Sequence, residues 1–196
     1  ERLTVLRAFV GDRSNRRHRP GRALERPTYR FDILSDYGAF RDLQRHRMMT
    51  LDWQRLSTSH GYVRPPEIDD AGLADHFNAS MERSAALHDA LEPAFPDQAP
   101  YAASLAYRVR YMMHMNAREA MHVLELRTTP QGHPAYRRVC QEMHTLIRDV
   151  AGHRAIAEMM SFVDHSSGTD LERLDSERKS EHKRAMTMDG SDTSIA

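Results

Sequence analysis

Arg45-His46-Arg47 sets an imidazole between two guanidiniums. A planar guanidinium fork matches the geometry of a phosphate or a carboxylate, so the tripeptide is an anion-recognition candidate. Farther along, Asn116 and Arg127 stand eleven residues apart, close to three helical turns, while Arg118 and His122 stand four apart. Their neighbours include Met112, Met113, Met115, Met121, Val123, Leu124 and Leu126. A helix apolar nearly all round has little room for a wet face. Its guanidiniums are therefore expected to need buried acceptors, supplied by ligand phosphates or by a subunit interface.

Other chemistries find less support. The 12 histidines include no HExxH and no close pair with a carboxylate partner, and His114, His122, His133, His144 and His153 are scattered, so no metal site is expected. There is no glycine-rich phosphate loop, no GxSxG elbow and no GxGxxG turn. The lone cysteine, Cys140, excludes an internal disulfide and sits among helix formers as a small core residue. Lys+Arg and Asp+Glu each number 28, for a net charge of zero, which argues against a general nucleic-acid binder. All the basic residues except Lys179 and Lys183 are arginines. An arginine-rich arm, NRRHRPGR, is a generic phosphate or RNA signal, but it lacks interleaved aromatics. With no span-length apolar run and no signal-peptide pattern at the start, the expected address is the cytoplasm.

The elements that must position these residues read as α+β, a small strand-bearing N-terminal half followed by a helical half. ERLTVLRAFV is helical and is expected to end a helix of a longer parent chain. The segment 11–27 is an Arg-dense loop, and the first 17 residues are taken as lying outside the main domain, 18–184. TYRFDIL (28–34) alternates as a strand. A helix follows, N-capped by Ser35 or Asp36, with Phe40 and Leu43 on it and RHR at its C-terminal end. MTLDWQRL reads as a short strand carrying the only Trp, and GYVRPPEIDDAG as a loop. Helices are expected over 73–92, over the whole of 101–127, over 134–152 with Pro134 in its first turn, and briefly from His153. A charged helix from Asp170 and a disordered tail over 185–196 close the chain.

Taken in order, ALERPTYRFDI, RHRMMTLDWQRLS and NAREAMHVLELRTTPQGHPAYR resemble the flavin-dependent thymidylate synthases, the ThyX type, over residues 18–150. The resemblance implies a ThyX-like fold with sites built at the interfaces of a homotetramer. It also implies reductive methylation of dUMP to dTMP, with methylenetetrahydrofolate as the one-carbon donor and FAD reduced by NADPH. Carried over residue by residue, it implies flavin contacts for Thr28, Arg45, His46, Arg47, Asn116, Arg118 and His122. Gln44, Arg45, Arg55 and Arg127 would meet the nucleotide, with Arg127 the catalytic cation beside the uracil ring, where a permanent charge stabilises the anionic pyrimidine.

This sequence departs from the family pattern on the nucleotide side. Where the family has its phosphate-holding NExS and a following Arg, the counted positions give Asp52, Trp53, Arg55 and Ser57. Arg26 replaces a usual His, Asp42 falls where a Gln is expected, and Pro100 takes the place of a phosphate-binding Arg. Arg55, Arg64 or the NRRHRPGR arm are the available substitutes. The alternative reading is a catalytically degenerate domain of the same fold that supports a neighbouring domain or binds only flavin or nucleotide. A homo-oligomer or a paired tandem domain is the expected partner.

Overall fold

Alternation along the chain dictates the sheet. The computed structural model describes residues 2–167 together with Glu177, Arg178 and Glu181. Strand β1 (Thr28–Asp36) buries Tyr29, Phe31 and Ser35 and exposes Thr28, Arg30, Asp32 and Leu34, as a strand with one wet face requires. β2 (Thr50–Trp53) and β3 (Arg108–Asn116) complete an antiparallel sheet in the order β1-β3-β2. Central β3 buries Val109, Tyr111, Met113 and Met115. It pairs with β1 from Thr28 opposite Asn116 to Asp36 opposite Arg108.

Helix α2 (Tyr37–Leu43) packs on the covered face of the sheet, its Phe40 ring 4.7 Å from that of Tyr111. Asp36 caps this helix, its carboxylate accepting from the Ala39 N–H at 2.7 Å. α1 (Arg2–Val10) precedes the sheet. α3 (Pro66–Asp70) and α4 (Ala74–Leu91) lie between β2 and β3. The α+β reading, the strand from Thr28, the Asp36 cap and the helix over 73–92 all agree with this architecture.

Three expectations need correction. The segment 101–127 is not one helix: β3 occupies Arg108–Asn116, and helix α5 (Ala117–Arg127) begins after it. Met and Arg favour helix intrinsically, but the apolar alternation and the ladder to β1 override that preference. Asn116 accordingly ends the strand, and its Oδ1 accepts from the Glu119 N–H at 2.9 Å, so the shared-helix-face argument linking it to Arg127 fails. RHR lies beyond α2, which stops at Leu43 with Gln44 as its C-cap. The expected loop over 61–72 contains α3, with Pro66 at its first position.

The chain divides into two compact units, one through Val123 and one from Leu124. The second contains α6 (Pro134–Asp149) and α7 (Arg154–Met159). α6 buries Arg137, Cys140, Met143, His144 and Ile147 along one stripe at helical spacing. Among the described residues of this unit, the buried guanidinium is that of Arg137. Its Nε donates to the Thr128 carbonyl at 3.1 Å and its Nη2 to the Ser166 carbonyl at 2.9 Å, with Asp164 at 3.8 Å. Apart from Glu177, Arg178 and Glu181, which are helical, the expected charged helix and tail lie outside the described residues. No helix among the described residues is long and apolar enough to cross a membrane.

Candidate functional site

The arginine-rich arm, residues 11–21, is built as a loop framed by two glycines. Gly11 (φ 74°) ends α1 in the left-handed region, its N–H bonded to the Arg7 carbonyl at 2.9 Å. Gly21 donates to the Phe9 carbonyl at 2.8 Å, and a Cβ at position 21 would overlap that oxygen, so the approach requires glycine. Between them Arg13 reaches inward: Nε donates to the His18 carbonyl at 2.8 Å, Nη2 to the Arg16 carbonyl at 3.2 Å and Nη1 to the Met121 sulfur at 2.9 Å. Asn15 folds the same stretch, its side chain accepting from the Arg17 N–H and its carbonyl from the His18 N–H, both at 2.9 Å.

A cleft of about 680 Å³ lies between this arm and the start of α5. Asn116, Arg118 and His122 line it together with Arg16, Arg17 and Arg19. Arg118 ties arm and helix together, donating from Nε to the Pro20 carbonyl at 3.1 Å and from Nη1 to Glu25 Oε1 at 2.7 Å. Hydrogen bonds from Arg22 and then Arg118 hold the Glu25 carboxyl below its usual range. Thr28 joins the group through the sheet, where it stands opposite Asn116, and the Ala117 N–H donates to the Pro27 carbonyl at 2.8 Å. Four of the seven expected flavin contacts, Thr28, Asn116, Arg118 and His122, thereby lie along the end of the β1–β3 ladder and the first two turns of α5.

The RHR tripeptide divides. His46 is buried, with its Nδ1 at 3.7 Å from Glu119 Oε1 and its ring edge-on to that of His122 at 5.7 Å. Arg45 and Arg47 are exposed and are not among the cleft-lining residues. Gln44 caps α2. Arg55 faces Asp97 at 3.8 Å in an exposed pair of little energetic weight. Arg64 is engaged by Asp69 at 2.9 Å and by Asn78 at 3.0 Å, which makes it a poor substitute phosphate ligand. Of the three substitutes, only the arm is brought to the cleft.

In the second unit Arg127 ends α5, half-buried, with its guanidinium 5.4 Å from the centre of the Tyr136 ring. Burial pushes the Cys140 thiol up to about 12, against the opposing effect of Arg127, so it is a core group and a poor nucleophile. Among the described residues no three metal-ligating side chains come together.

Sequence reasoning passed over Glu25 and Glu119, the carboxylates that position Arg118 and His46. Each stands as an acid in the first turn of a helix, Glu25 in the single 3-10 turn Arg22–Glu25 and Glu119 in α5. It also passed over the fact that RHR occurs twice. Arg17-His18-Arg19 is the copy whose three residues all line the cleft.

Comparison with known proteins bears on the whole arrangement. The family model described as thymidylate synthase complementing protein matches residues 10–163. A UPF0159 protein of Chlamydia pneumoniae is 40% identical over 180 residues, 91% of this chain and 33% of its own length. A UPF0159 protein of Thermoplasma acidophilum is 34% identical over 166 residues, 84% of this chain and 33% of its own. The chain thus spans about a third of the length of the curated relatives it matches. Among solved structures, the UMP/dUMP methylase PolB from Streptomyces cacaoi, bound with 5-Br UMP, superposes with a TM-score of 0.56 at 16% identity, covering 72% of this chain and 78% of that one. Thymidylate synthase X from Helicobacter pylori, with FAD and dUMP, gives 0.55 at 18% identity, covering 71% and 76%. At those identities the likeness is one of fold.

Proposed function

The chain belongs to the thymidylate synthase complementing protein family, and from that premise we propose that it takes part in flavin-dependent thymidylate synthesis, the reductive methylation of dUMP. The observation that supports this reading is the meeting of Asn116, Arg118 and His122 at an arginine-lined cleft, with Thr28 opposite Asn116 in the sheet. A cleft of about 680 Å³ suits a cofactor-sized ligand, and permanent guanidinium forks suit an anionic dinucleotide. FAD bound there would supply the redox chemistry, with NADPH as reductant and methylenetetrahydrofolate as one-carbon donor.

The chain's own residues hold and orient. Asn116 spends its Oδ1 on the α5 cap and keeps its amide NH₂ as a donor toward the cleft. Arg118 is locked by Pro20 and Glu25, so its place in the wall is fixed before any ligand arrives. His46 stands behind, bracing His122 and Glu119. Arg127 would contact the nucleotide base and favour its anionic form, with Gln44, Arg45 and Arg55 as the remaining substrate-side candidates.

A second reading is favoured by one observation. Arg64 is engaged with Asp69, and neither Arg45 nor Arg55 lines the cleft, so of the phosphate-side candidates only the arm stands there. A domain that holds flavin while a second copy or a paired domain completes the nucleotide site would look like this. The visible absorbance of the protein with FAD, repeated with excess dUMP, separates the readings. A bound-flavin spectrum shifted again by dUMP supports the synthase. A flavin spectrum indifferent to dUMP supports the flavin-holding domain, and an unperturbed FAD spectrum overturns both.

A further inference from the structure

We infer that Arg16, Arg17 and Arg19 form a diphosphate-binding wall in the cleft. Identifying that diphosphate with the one in FAD rests on the proposed function. Three observations carry the inference. First, the cleft's two carboxylates are already committed, Glu25 to Arg22 and Arg118 and Glu119 to His46. Arg16, Arg17 and Arg19 have no carboxylate partner and donate no side-chain hydrogen bond among the described residues, although Arg16 is half-buried. Second, three permanent cations within four residues repel one another, and the repulsion is sharper where water is partly excluded. The loop holds them together all the same, through the Arg13 bonds to the His18 and Arg16 carbonyls and the Asn15 turn. A structure that concentrates like charge against its own repulsion is pre-organised for a counter-charge.

Third, the shape of the site selects the anion. The cleft admits one small ligand, and none of its lining residues is a Phe, Tyr or Trp on which bases could stack, which disfavours single-stranded nucleic acid. Several forks side by side match the multiple oxygens of a diphosphate better than those of a single carboxylate. Asn116 and Arg118, at the start of α5, line the same cleft and add further donors.

The test uses the full chain and inorganic pyrophosphate as the probe, titrated by calorimetry into the wild type, the R16A/R17A/R19A variant and the charge-matched control R83A/R138A/R154A. Circular dichroism and thermal unfolding first establish that both variants are folded. The expected result is pyrophosphate affinity weakened about tenfold or more in the arm variant, through lost charge-assisted bonds, and changed less than about twofold in the control. Equal affinity in wild type and arm variant, equal loss in both variants, or no pyrophosphate binding by the wild type overturns the inference. A second titration reports on the flavin. FAD affinity should fall with pyrophosphate affinity in the arm variant, while that of riboflavin, which has no phosphate, should not. Arm-dependent pyrophosphate binding with no FAD binding leaves the diphosphate wall standing and overturns the flavin reading alone.

Discussion

Arg13 donates through Nη1 to the sulfur of Met121 at 2.9 Å, across 108 residues of sequence, and in doing so pins the arm to α5. With its bonds to the His18 and Arg16 carbonyls, this one guanidinium is the internal peg of the loop. Arg13→Ala should lower stability by only about 1–2 kcal/mol, because the arm is at the surface. It should nonetheless speed tryptic cleavage after Arg16 or Arg17 by about tenfold, as local opening becomes cheaper. Limited proteolysis with identification of the cut sites checks this, and unchanged cleavage rates would show that Asn15 alone holds the loop.

The two glycines that frame the arm should respond differently to alanine. At Gly21 the new methyl meets the Phe9 carbonyl, so backbone must move, at a cost of about 2–3 kcal/mol. At Gly11 nothing lies near the added carbon, and the cost is the conformational strain of φ 74°, about 1 kcal/mol. Denaturant unfolding of both variants tests the ranking; a larger loss at position 11 would contradict it.

The frame of the site was more legible than its walls. TYRFDIL and the Asp36 cap carry local signals, and the structure reproduces them. RVRYMMHMN carried an equally clear alternation, with Val109, Tyr111, Met113 and Met115 buried. Its Met and Arg content and its continuity with NAREAMHVLELR made a helix the easier reading. The grouping of Asn116, Arg118 and His122 was recoverable because they are neighbours in sequence. The division of RHR into a buried His46 and two outward arginines was not, since it depends on Glu119 and His122, far along the chain. Nor could the sequence select the arm over Arg64. That choice rests on Arg64 finding Asp69 and Asn78 and on Arg13 finding Met121, which are tertiary facts.

Arg137 is the structural arginine of the second unit. Replacing it by Met keeps much of the volume but leaves the Thr128 and Ser166 carbonyls without their donor and Asp164 without its cation. A loss of about 3 kcal/mol is expected, with only partial recovery in Arg137→Lys, which cannot reach two carbonyls at once. Urea unfolding gives the values, and a loss below about 1 kcal/mol would mean that water replaces the guanidinium.

His144 and His165 approach at 2.9 Å through Nδ1 and Nε2, while His144 Nε2 is 3.0 Å from the Ala157 carbonyl. Because His144 Nε2 donates to the Ala157 carbonyl, its Nδ1 accepts and His165 Nε2 donates. Burial, the neighbouring His144 and Arg148 hold the His165 pKa below its ordinary 6.5, with Asp164 opposing. Because the unfolded chain then binds the proton more readily, this contribution is complete above pH 6.5 and declines as the pH falls through the depressed folded value. The difference in Tm between wild type and His165→Gln should therefore shrink on acidification below 6.5. A difference constant across that range would remove the pair as a source of pH dependence.

Cys140, with its thiol raised to about 12 by burial, should resist a thiol reagent in the native protein at about pH 8 and react fully once guanidinium unfolds the chain. Rapid modification of the native protein would show that α6 opens.

The β1–β3 ladder sets the order in which the first unit can be assembled during synthesis. β1 has no partner until β3 is made, and α2, β2, α3 and α4 all precede it. While the ribosome translates those elements, Tyr29 and Phe31 belong to a strand with two open edges, and β2 has no strand to join. Such non-local pairing is slow to close and prone to wrong partners while it waits. Truncations ending before Arg108 should therefore be insoluble, and those carried past Asn116 should release a first unit able to form its sheet.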